Sequence, residues 1–262
     1  MKTASKTATA LAANREAGQG SLIGYFPLGY PTLDASVDAA IAMCRSGVDV
    51  LELGIPYSDP VMDGIVIQEA TAEALANGFK LKHTFEAIKR ITDAVDTPVL
   101  VMTYWNPVMQ FGVEKFATQL SEAGAAGLIT PDLIPDEAGE WLAVSDKLAL
   151  DRVFLATPTS SPKRMLTACE LSRGFAYAVS TMGITGARTE VDQLARKVVG
   201  AIRDTQTQQN AAVGIGISTA EQVAEVNEYA DAAIVGSAFV KAYQNGGLDA
   251  LVEKVIELDP KK

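Results

Sequence analysis

The chain contains, at residues 50–64, the segment Val50-Leu51-Glu52-Leu53-Gly54-Ile55-Pro56-Tyr57-Ser58-Asp59-Pro60-Val61-Met62-Asp63-Gly64. The segment begins as an apolar, strand-like run that carries one carboxylate, Glu52. In an extended chain Val50 and Glu52 point to one side, and Leu51 and Leu53 point to the other. Whichever face is buried, the carboxylate therefore lies close to apolar surface, which is costly unless it serves a purpose.

The strand-like run stops at Gly54 and opens into an acidic, turn-rich loop. If the strand belongs to a parallel sheet, its carboxyl end is where such folds bind ligands. Glu52, Asp59 and Asp63 would then surround one mouth. The segment indicates acid/base chemistry by carboxylates.

Apolar strand-like runs alternate with amphipathic helical stretches along the whole chain, which predicts a parallel sheet. The eight strand candidates are Leu22–Pro27, Val50–Leu53, Pro98–Met102, Gly127–Thr130, Arg152–Ala156, Phe175–Ser180, Ala212–Ile217 and Ala232–Gly236. The helix candidates are Thr3–Glu16, Leu33–Arg45, Val66–Ala76, Thr84–Val95, Val113–Ala123, Glu137–Leu148, Pro162–Ser172, Val191–Arg203, Thr219–Glu228 and Ala238–Leu258. Ser161 before Pro162 is a helix N-cap signal, and Ser218 with Glu221 fits a capping box.

Eight βα units in 262 residues, without a linker or composition break, predict an α/β protein with a single (β/α)8 TIM barrel. We expect one domain over residues 1–262, in which residues 1–20 form an extra N-terminal helix and its lead-in. An open doubly wound sheet is the weaker prediction, and no GxGxxG pattern follows the first strand.

Composition narrows the classes of function. Hydrophobic residues make up 48% of the chain and charged residues 21%, no apolar run is long enough to cross a membrane, and residues 1–16 lack a secretory signal. These features predict a cytoplasmic protein without membrane contact. A net charge of -10 argues against nucleic acid as a partner.

Cysteine and histidine usage argues against metal chemistry. We interpret Cys44 and Cys169 as reduced core thiols, and the single histidine, His83, as a solvated surface residue. Metal sites and histidine-based catalysis are therefore disfavoured.

Glycine-bearing turns follow three successive strand candidates near the C-terminus. Gly216 and Gly236, the latter followed by Ser237, close the last two, and Gly183 with Gly186 follows the sixth. Barrels commonly bind phosphate between these loops, through backbone N–H groups that a Cβ would block. The three turns together favour a phosphate site over simple strand endings.

The segment 51–60 together with Asp63-Gly64 and Ile67-Gln68 resembles the signature of the tryptophan synthase alpha subunit. The resemblance runs from about Leu22 to Ala238. It implies a (β/α)8 barrel that cleaves indole-3-glycerol phosphate into indole and glyceraldehyde 3-phosphate by retro-aldol chemistry, without metal or organic cofactor.

The resemblance also implies roles for individual residues. Glu52 would transfer protons, with its pKa raised by an apolar pocket, and Asp63 would hold the indole N–H and stay ionised on a wetter loop. Tyr177 would orient Glu52. The expected walls of the indole pocket are Tyr25, Met102, Tyr104 and Ile129, the expected lid residue is Thr185, and the expected phosphate contacts are Gly186, Gly216, Gly236 and Ser237. Several residues also have a purely structural interpretation. Met102 and Ile129 could belong to the core, Tyr57 and Tyr104 could be surface aromatics, and Glu52 could be part of a structural ion pair.

The family's alpha chain docks on a beta subunit that uses pyridoxal phosphate, in an alpha2beta2 heterotetramer. The resemblance puts Pro56, Asp59, Asn106 and Pro135 at that docking face. Three positions depart from the commoner pattern: Ile65-Val66 after the Asp63 turn, Tyr25 in place of Phe, and the bulky run Tyr104-Trp105-Asn106-Pro107.

Two other functions stay open from the residues themselves. One is another phosphate-binding barrel enzyme, an isomerase or epimerase, which would usually need a His, Lys or metal at the mouth. The other is a non-catalytic allosteric partner that only binds the phosphate ligand.

Overall fold

The computed structural model describes residues 4–179, 188–214 and 216–262. Within these residues, nine strands form one sheet whose paired neighbours are all parallel. In chain order they are β1 Leu22–Pro27, β2 Val50–Gly54, β3 Val99–Met102, β4 Gly127–Ile129, β5 Asp151–Val153, β6 Leu155–Ala156, β7 Ala176–Val179, β8 Ala211–Gly214 and β9 Ala232–Val235.

Helices fill the connections between the strands. They are α1 Lys6–Glu16, α2 Leu33–Ser46, α3 Ile65–Ala76, α4 His83–Thr92, α5 Trp105–Phe111, α6 Val113–Glu122, α7 Gly139–Leu148, α8 Pro162–Leu171, α9 Arg188–Asp204, α10 Ala220–Asn227 and α11 Ser237–Leu258, with a short 3-10 helix at Pro135–Glu137. No helix of the described residues is long and apolar enough to cross a membrane.

The sheet closes on itself through β5 and β6. Its order is β5-β4-β3-β2-β1-β9-β8-β7-β6, and the two end strands are separated in the chain by Phe154 alone. The N–H of Phe154 donates to the Ser172 hydroxyl at 3.2 Å, while its carbonyl accepts from the N–H of Tyr177 at 3.0 Å. The predicted strand Arg152–Ala156 is thus one barrel strand interrupted at Phe154, and the predicted (β/α)8 barrel is confirmed.

Two apolar layers lie on the two sides of the sheet. Leu51 and Leu53 belong to the layer between strands and helices, and Val50 belongs to a second cluster inside the barrel. The alternation predicted for β2 is therefore confirmed, and the inner side is the one that carries Glu52.

Helix α1 covers the amino-terminal end of the barrel. Leu11, 1% exposed, packs into the interior cluster, and the N-cap residue Ser5 donates its hydroxyl to Asp151 at 2.8 Å. The N–H of Thr7 donates to the same carboxylate at 3.3 Å, and Arg173 pairs with Asp151 at 3.3 Å. The predicted N-terminal helix is confirmed and has a packing role.

Several local predictions need correction. Residues 105–111 form helix α5, because the N–H of Trp105 finds an acceptor in Asp132 at 2.8 Å and Pro107 sits in the first turn, where proline is tolerated. The N-cap of α8 is Ser161, as predicted. The capping box of α10, however, pairs Thr219 with Gln222 rather than Ser218 with Glu221.

The remaining differences concern the C-terminal helix and the histidine, whereas the thiols agree with the prediction. Gly246 and Gly247 break the helical geometry of the predicted continuous helix α11. His83 is half-buried rather than solvated: its ring packs edge-on against Phe79. Cys44 and Cys169 are free thiols, half-buried and buried, and burial raises the pKa of Cys44 to about 11.

Candidate active site

Glu52 lies on the inner face of the barrel. It stands in register between Tyr25 on β1 and Leu100 on β3, so these side chains share one side of the sheet. Glu52 is 1% exposed, and within the described part of the chain its Oε2 atom has no hydrogen-bond partner. A buried polar atom left unpaired is costly, so a carboxyl group in this state faces interior space that a ligand could share.

The environment of Glu52 changes its protonation. Burial, and to a smaller extent the negative charge of Asp63, together raise the pKa of this carboxyl group to about 8. The sequence predicts this direction from the apolar surroundings of the strand. At pH 7 the group is mostly protonated, so it can donate a proton and, once ionised, accept one.

Asp63 lies on the loop between β2 and α3, on the same mouth. Its Oδ2 atom accepts a hydrogen bond from the Tyr104 hydroxyl at 3.2 Å. Burial raises its pKa to about 6, and the bond from Tyr104 opposes that rise. The half-buried Asp63 side chain is more exposed than Glu52, in the direction that the sequence predicts, and the group is mostly ionised at pH 7.

Two tyrosines complete the polar part of the mouth, Tyr25, which is buried, and Tyr177, which is half-buried. Burial raises the pKa values of Tyr25 and Tyr177 well above the usual range, and the charges of Glu52 and Asp63 add to both effects. The four groups therefore share one electrostatic environment at the carboxyl ends of β1, β2 and β7.

Glycines at two strand ends leave the space that these tyrosines occupy. A Cβ atom on Gly54 would lie 2.0 Å from the Tyr25 hydroxyl, and one on Gly214 would lie 2.4 Å from the Tyr177 hydroxyl. Sequence reasoning missed this role. The available signal is the position of each glycine as the last residue of its strand.

Apolar side chains lie near the same carboxyl groups, on the inner side of the barrel. Ile129 is buried in the interior cluster, and Met102 and Tyr177 pack against that cluster from its rim. Tyr104 is 5% exposed, which excludes its interpretation as a surface aromatic. The structure therefore brings together the predicted wall residues Tyr25, Met102, Tyr104 and Ile129.

The predicted phosphate residues that the structure describes lie at the ends of β8 and β9. Gly236 is the N-cap of α11 and adjoins Tyr25, since a Cβ on Gly236 would lie 3.3 Å from Cδ1 of that ring. The Ser237 hydroxyl lies 4.0 Å from the Cβ position of Gly64, next to Asp63. Gly216 is exposed and has a φ of +66°, a conformation that favours glycine. Thr185 and Gly186, with Gly183, lie outside the described residues.

The predicted docking residues lie after β2, in helix α5 and in the 3-10 helix. Asp59 and Asn106 are exposed and Pro135 is half-buried, but Pro56 is buried and offers little surface to a partner. The same region exposes large apolar side chains that sequence reasoning missed, in the loop after β2, at the start of α3, in α5 and before the 3-10 helix: Val61, Met62, Ile65, Met109 and Ile134. Apolar residues close to turn residues were the signal for such a face.

The described residues contain no group of three or more His, Cys, Asp or Glu side chains arranged to hold a metal ion. A closed (β/α)8 barrel whose mouth holds two carboxyl groups with raised pKa values is the arrangement of a barrel enzyme that works by acid/base catalysis.

Comparison with known proteins identifies the family. The family model described as tryptophan synthase alpha chain matches residues 11–259. The chain therefore belongs to the tryptophan synthase alpha chain family. It is a carbon–carbon lyase of tryptophan biosynthesis, which cleaves indole-3-glycerol phosphate to indole and glyceraldehyde 3-phosphate and needs no cofactor of its own. This decides against the isomerase or epimerase and against the non-catalytic binder.

Individual relatives agree over nearly the whole length. The tryptophan synthase alpha chain of Leifsonia xyli is 58% identical over 254 residues, 97% of both chains. That of Mycobacterium intracellulare is 49% identical over 237 residues, 90% of this chain and 87% of the relative. A Mycobacterium tuberculosis tryptophan synthase structure superposes with a TM-score of 0.93 at 45% identity, covering 99% of this chain and 100% of that one. A chain of the tryptophan synthase complex from Pyrococcus furiosus has a TM-score of 0.82 at 32% identity, covering 92% and 98%.

Proposed function

We propose that Glu52 and Asp63 divide the acid/base work of indole-3-glycerol phosphate cleavage. The observation that carries this proposal is the buried Glu52 carboxyl group with its unpaired Oε2 atom, in one mouth with a second carboxyl group of lower pKa. Two acids whose environments separate their pKa values are suited to opposite protonation states at one pH.

Glu52 acts first as an acid and then as a base. Its carboxyl group gives a proton to C3 of the indole ring, which leaves a positive charge delocalised toward the ring nitrogen. The resulting carboxylate then takes the proton of the hydroxyl on the carbon bonded to C3. As that carbon becomes the aldehyde of glyceraldehyde 3-phosphate, the C–C bonding electrons return to the ring and release indole. Glu52 ends the cycle protonated, as it began.

Asp63 supports the charged ring. An ionised carboxylate that accepts the indole N–H stabilises the positive charge that develops when C3 is protonated. Its pKa of about 6, against about 8 for Glu52, favours this division near pH 7. Tyr177 would orient Glu52, and Tyr25, Met102, Tyr104 and Ile129 would enclose the flat ring.

The phosphate end of the substrate would bind at the start of helix α11. The first N–H groups of a helix can bind an anion, and the first segment of α11 begins after Gly236 without a side-chain cap. Gly236 and Ser237 would contribute there, with Gly216 from the neighbouring loop. Roles for Thr185 and Gly186 as lid and phosphate contacts rest on family likeness.

The partner is a tryptophan synthase beta subunit, in an alpha2beta2 assembly whose pyridoxal phosphate belongs to the beta subunit. We place the docking face on the surface around Pro56, Asp59, Asn106 and Pro135. The exposed apolar side chains Val61, Met62, Ile65, Met109 and Ile134 support this placement. Such an enzyme would work in the cytoplasm.

Glu52→Gln tests the proposal. The amide keeps the shape of the side chain but cannot transfer the protons, so we expect indole release to fall by about 10²–10⁴-fold while substrate affinity is retained. Indole production and ligand binding are measured with and without a beta subunit. Glu253→Gln, the same change on the exposed side of α11, should leave the rate unchanged. A normal rate in the Glu52 variant would overturn the assigned role.

A further inference from the structure

One hydroxyl group holds two consecutive residues of the loop between β2 and α3. The Tyr104 hydroxyl accepts the N–H of Met62 at 2.8 Å and donates to Oδ2 of Asp63 at 3.2 Å. Because one atom makes both bonds, the backbone before Asp63 and the carboxylate of Asp63 are fixed relative to the same point.

The loop needs such an anchor. Val61 is 80% exposed and Ile65 is 61% exposed, so few apolar contacts hold this segment. Helix α3 begins after Gly64 without a side-chain cap. The N–H of Asp63 bonds to the Pro60 carbonyl at 3.1 Å, and Gln68 donates to the Asp63 carbonyl at 2.7 Å. Those bonds hold the backbone, while the bond from Tyr104 holds the carboxylate itself.

Tyr104 is held in turn. Its ring lies 5.1 Å from the Tyr57 ring, centroid to centroid, and the amide of Asn106 donates to the Tyr57 hydroxyl at 3.2 Å. On the backbone side, the N–H of Trp105 donates to Asp132 at 2.8 Å. A buried ring fixed in this way gives its hydroxyl a defined position.

The charges around Asp63 give the hydrogen bond a second effect. Titratable groups face Asp63 from the neighbouring elements: Tyr25 on β1, Glu52 on β2, Tyr104 after β3 and Tyr177 on β7, with Asp132 acting on Tyr104. Burial raises the pKa of Asp63, and the bond from Tyr104 lowers it. Burial and the Asp63 charge raise the pKa of Tyr104, so its hydroxyl stays protonated and able to donate.

We propose that Tyr104 is a positioning residue that acts through Asp63, holding its carboxylate toward the indole N–H and keeping it ionised. The proposal rests on the role of Asp63 in the proposed function. It adds to the pocket-wall role of Tyr104 a second role, through its hydroxyl. It also explains how a loop with Ile65-Val66 after its turn keeps its acid in place.

Tyr104→Phe tests the inference, since it removes the hydroxyl and keeps the ring against Tyr57. We expect kcat for indole release to fall by about tenfold, the effect of losing one hydrogen bond to a charged group. The acidic limb of the kcat/KM pH profile should move to higher pH, because the bond that favours the ionised carboxylate is gone. A carbon NMR titration of the Asp63 carboxyl group should show the same direction without reliance on turnover.

Tyr229→Phe is the matched control, because the Tyr229 hydroxyl also donates to a carboxylate, that of Asp192, at 3.0 Å. It should leave the pH profile unchanged. Tyr57→Leu removes the ring that supports Tyr104 and should move the acidic limb in the same direction, by less.

The outcomes separate this inference from the proposed function. An unmoved acidic limb in both Tyr104→Phe and Tyr57→Leu, or an equal movement in Tyr229→Phe, would overturn the positioning role. Asp63→Asn tests the role of Asp63 itself: full activity in that variant would overturn the proposed function. If Asp63→Asn is inactive while Tyr104→Phe keeps the rate and pH profile of the unmodified protein, only the role of Tyr104 is overturned.

Discussion

Glu52 and Asp63 carry the same functional group in two different environments. Glu52 is fully enclosed within the barrel, and its pKa rises to about 8, whereas Asp63 is half-buried, receives a hydrogen bond and has a pKa of about 6. Each carboxylate disfavours ionisation of the other, so the pair titrates as a coupled unit. At a pH between these two pKa values the pair of carboxyl groups holds one proton, and that proton lies mainly on Glu52.

The raised pKa of Glu52 predicts a cost in stability. The folded state binds a proton that the unfolded chain, with a pKa near 4.5, has already lost. Stability from this group is therefore complete below about pH 4.5 and is lost as pH rises toward 8. We expect Glu52→Gln to raise the free energy of unfolding by about 4 kcal/mol at pH 8 and by little at pH 4.5.

Urea unfolding of both proteins at several pH values between 4.5 and 8 measures this difference. Glu253→Gln, which removes an exposed carboxylate, should show no pH-dependent gain. A gain for Glu52→Gln that is the same at every pH would mean that the residue is not buried with a raised pKa.

At the scale of the element, the strand ends position the site. Parallel register places Tyr25 beside Glu52, and Tyr177 pairs with Leu155 on one side and Ala212 on the other. Each tyrosine then extends its hydroxyl over the glycine that ends a neighbouring strand. A strand that ends in glycine thus makes room for the side chain of the strand beside it.

Gly214→Ala tests this packing. The new Cβ would lie 2.4 Å from the Tyr177 hydroxyl but 3.0 Å from Cζ of the same ring, so the hydroxyl is the main obstacle. We expect a loss of about 1–3 kcal/mol in the free energy of unfolding, as for other overpacked sites. Adding Tyr177→Phe should recover part of the loss.

Thermal or urea unfolding of the single and double variants measures both effects. Gly139→Ala, where a Cβ meets nothing within 4 Å, is the matched control and should cost no stability. Undiminished stability in Gly214→Ala would show that Tyr177 does not occupy the space above β8.

At the scale of the whole molecule, the two ends of the barrel differ in what they contain. The carboxyl ends of the strands carry the acids and tyrosines of the mouth, and the opposite end is covered by α1 through Leu11 and the Ser5–Asp151 bond. Barrels commonly separate activity from stability in this way. We propose that residues 1–262 unfold as one domain, with residues 1–20 as the helix and lead-in that seal it.

Leu11→Ala tests whether the packing of α1 against this end of the barrel contributes to stability. Removing a leucine that is 1% exposed should lower the free energy of unfolding by about 3 kcal/mol, while kcat stays within about twofold because the mouth is untouched. Leu166→Ala, at a position 38% exposed, should cost much less. Circular dichroism and tryptophan fluorescence should report one shared transition. Two separate transitions would contradict a single domain, and a large loss of kcat would contradict the separation of the two ends.

Local patterns were sufficient for much of this fold. The alternation of Leu51 and Leu53 with Val50 and Glu52 predicts that these pairs lie on opposite sides of β2, and the repeated strand and helix periods predict the barrel. These features depend on neighbours a few residues away, because strand pleat and helix turn repeat over two to four residues. Glu52 and Asp63 lie within one short segment of sequence, so the resemblance of that segment to the family could also be identified from the sequence.

Contacts between distant parts of the chain decided the rest. Helix α5 depends on Asp132 as an acceptor, the break at Phe154 depends on Ser172, and the state of Asp63 depends on Tyr104, 41 residues away. Hydrogen bonding and burial at these positions arise only when the barrel closes and brings separate strand ends to one mouth. The sequence alone therefore specified the strands, the helices and the acids, and the closed barrel determined their environments, because desolvation and partner geometry are properties of the packed molecule.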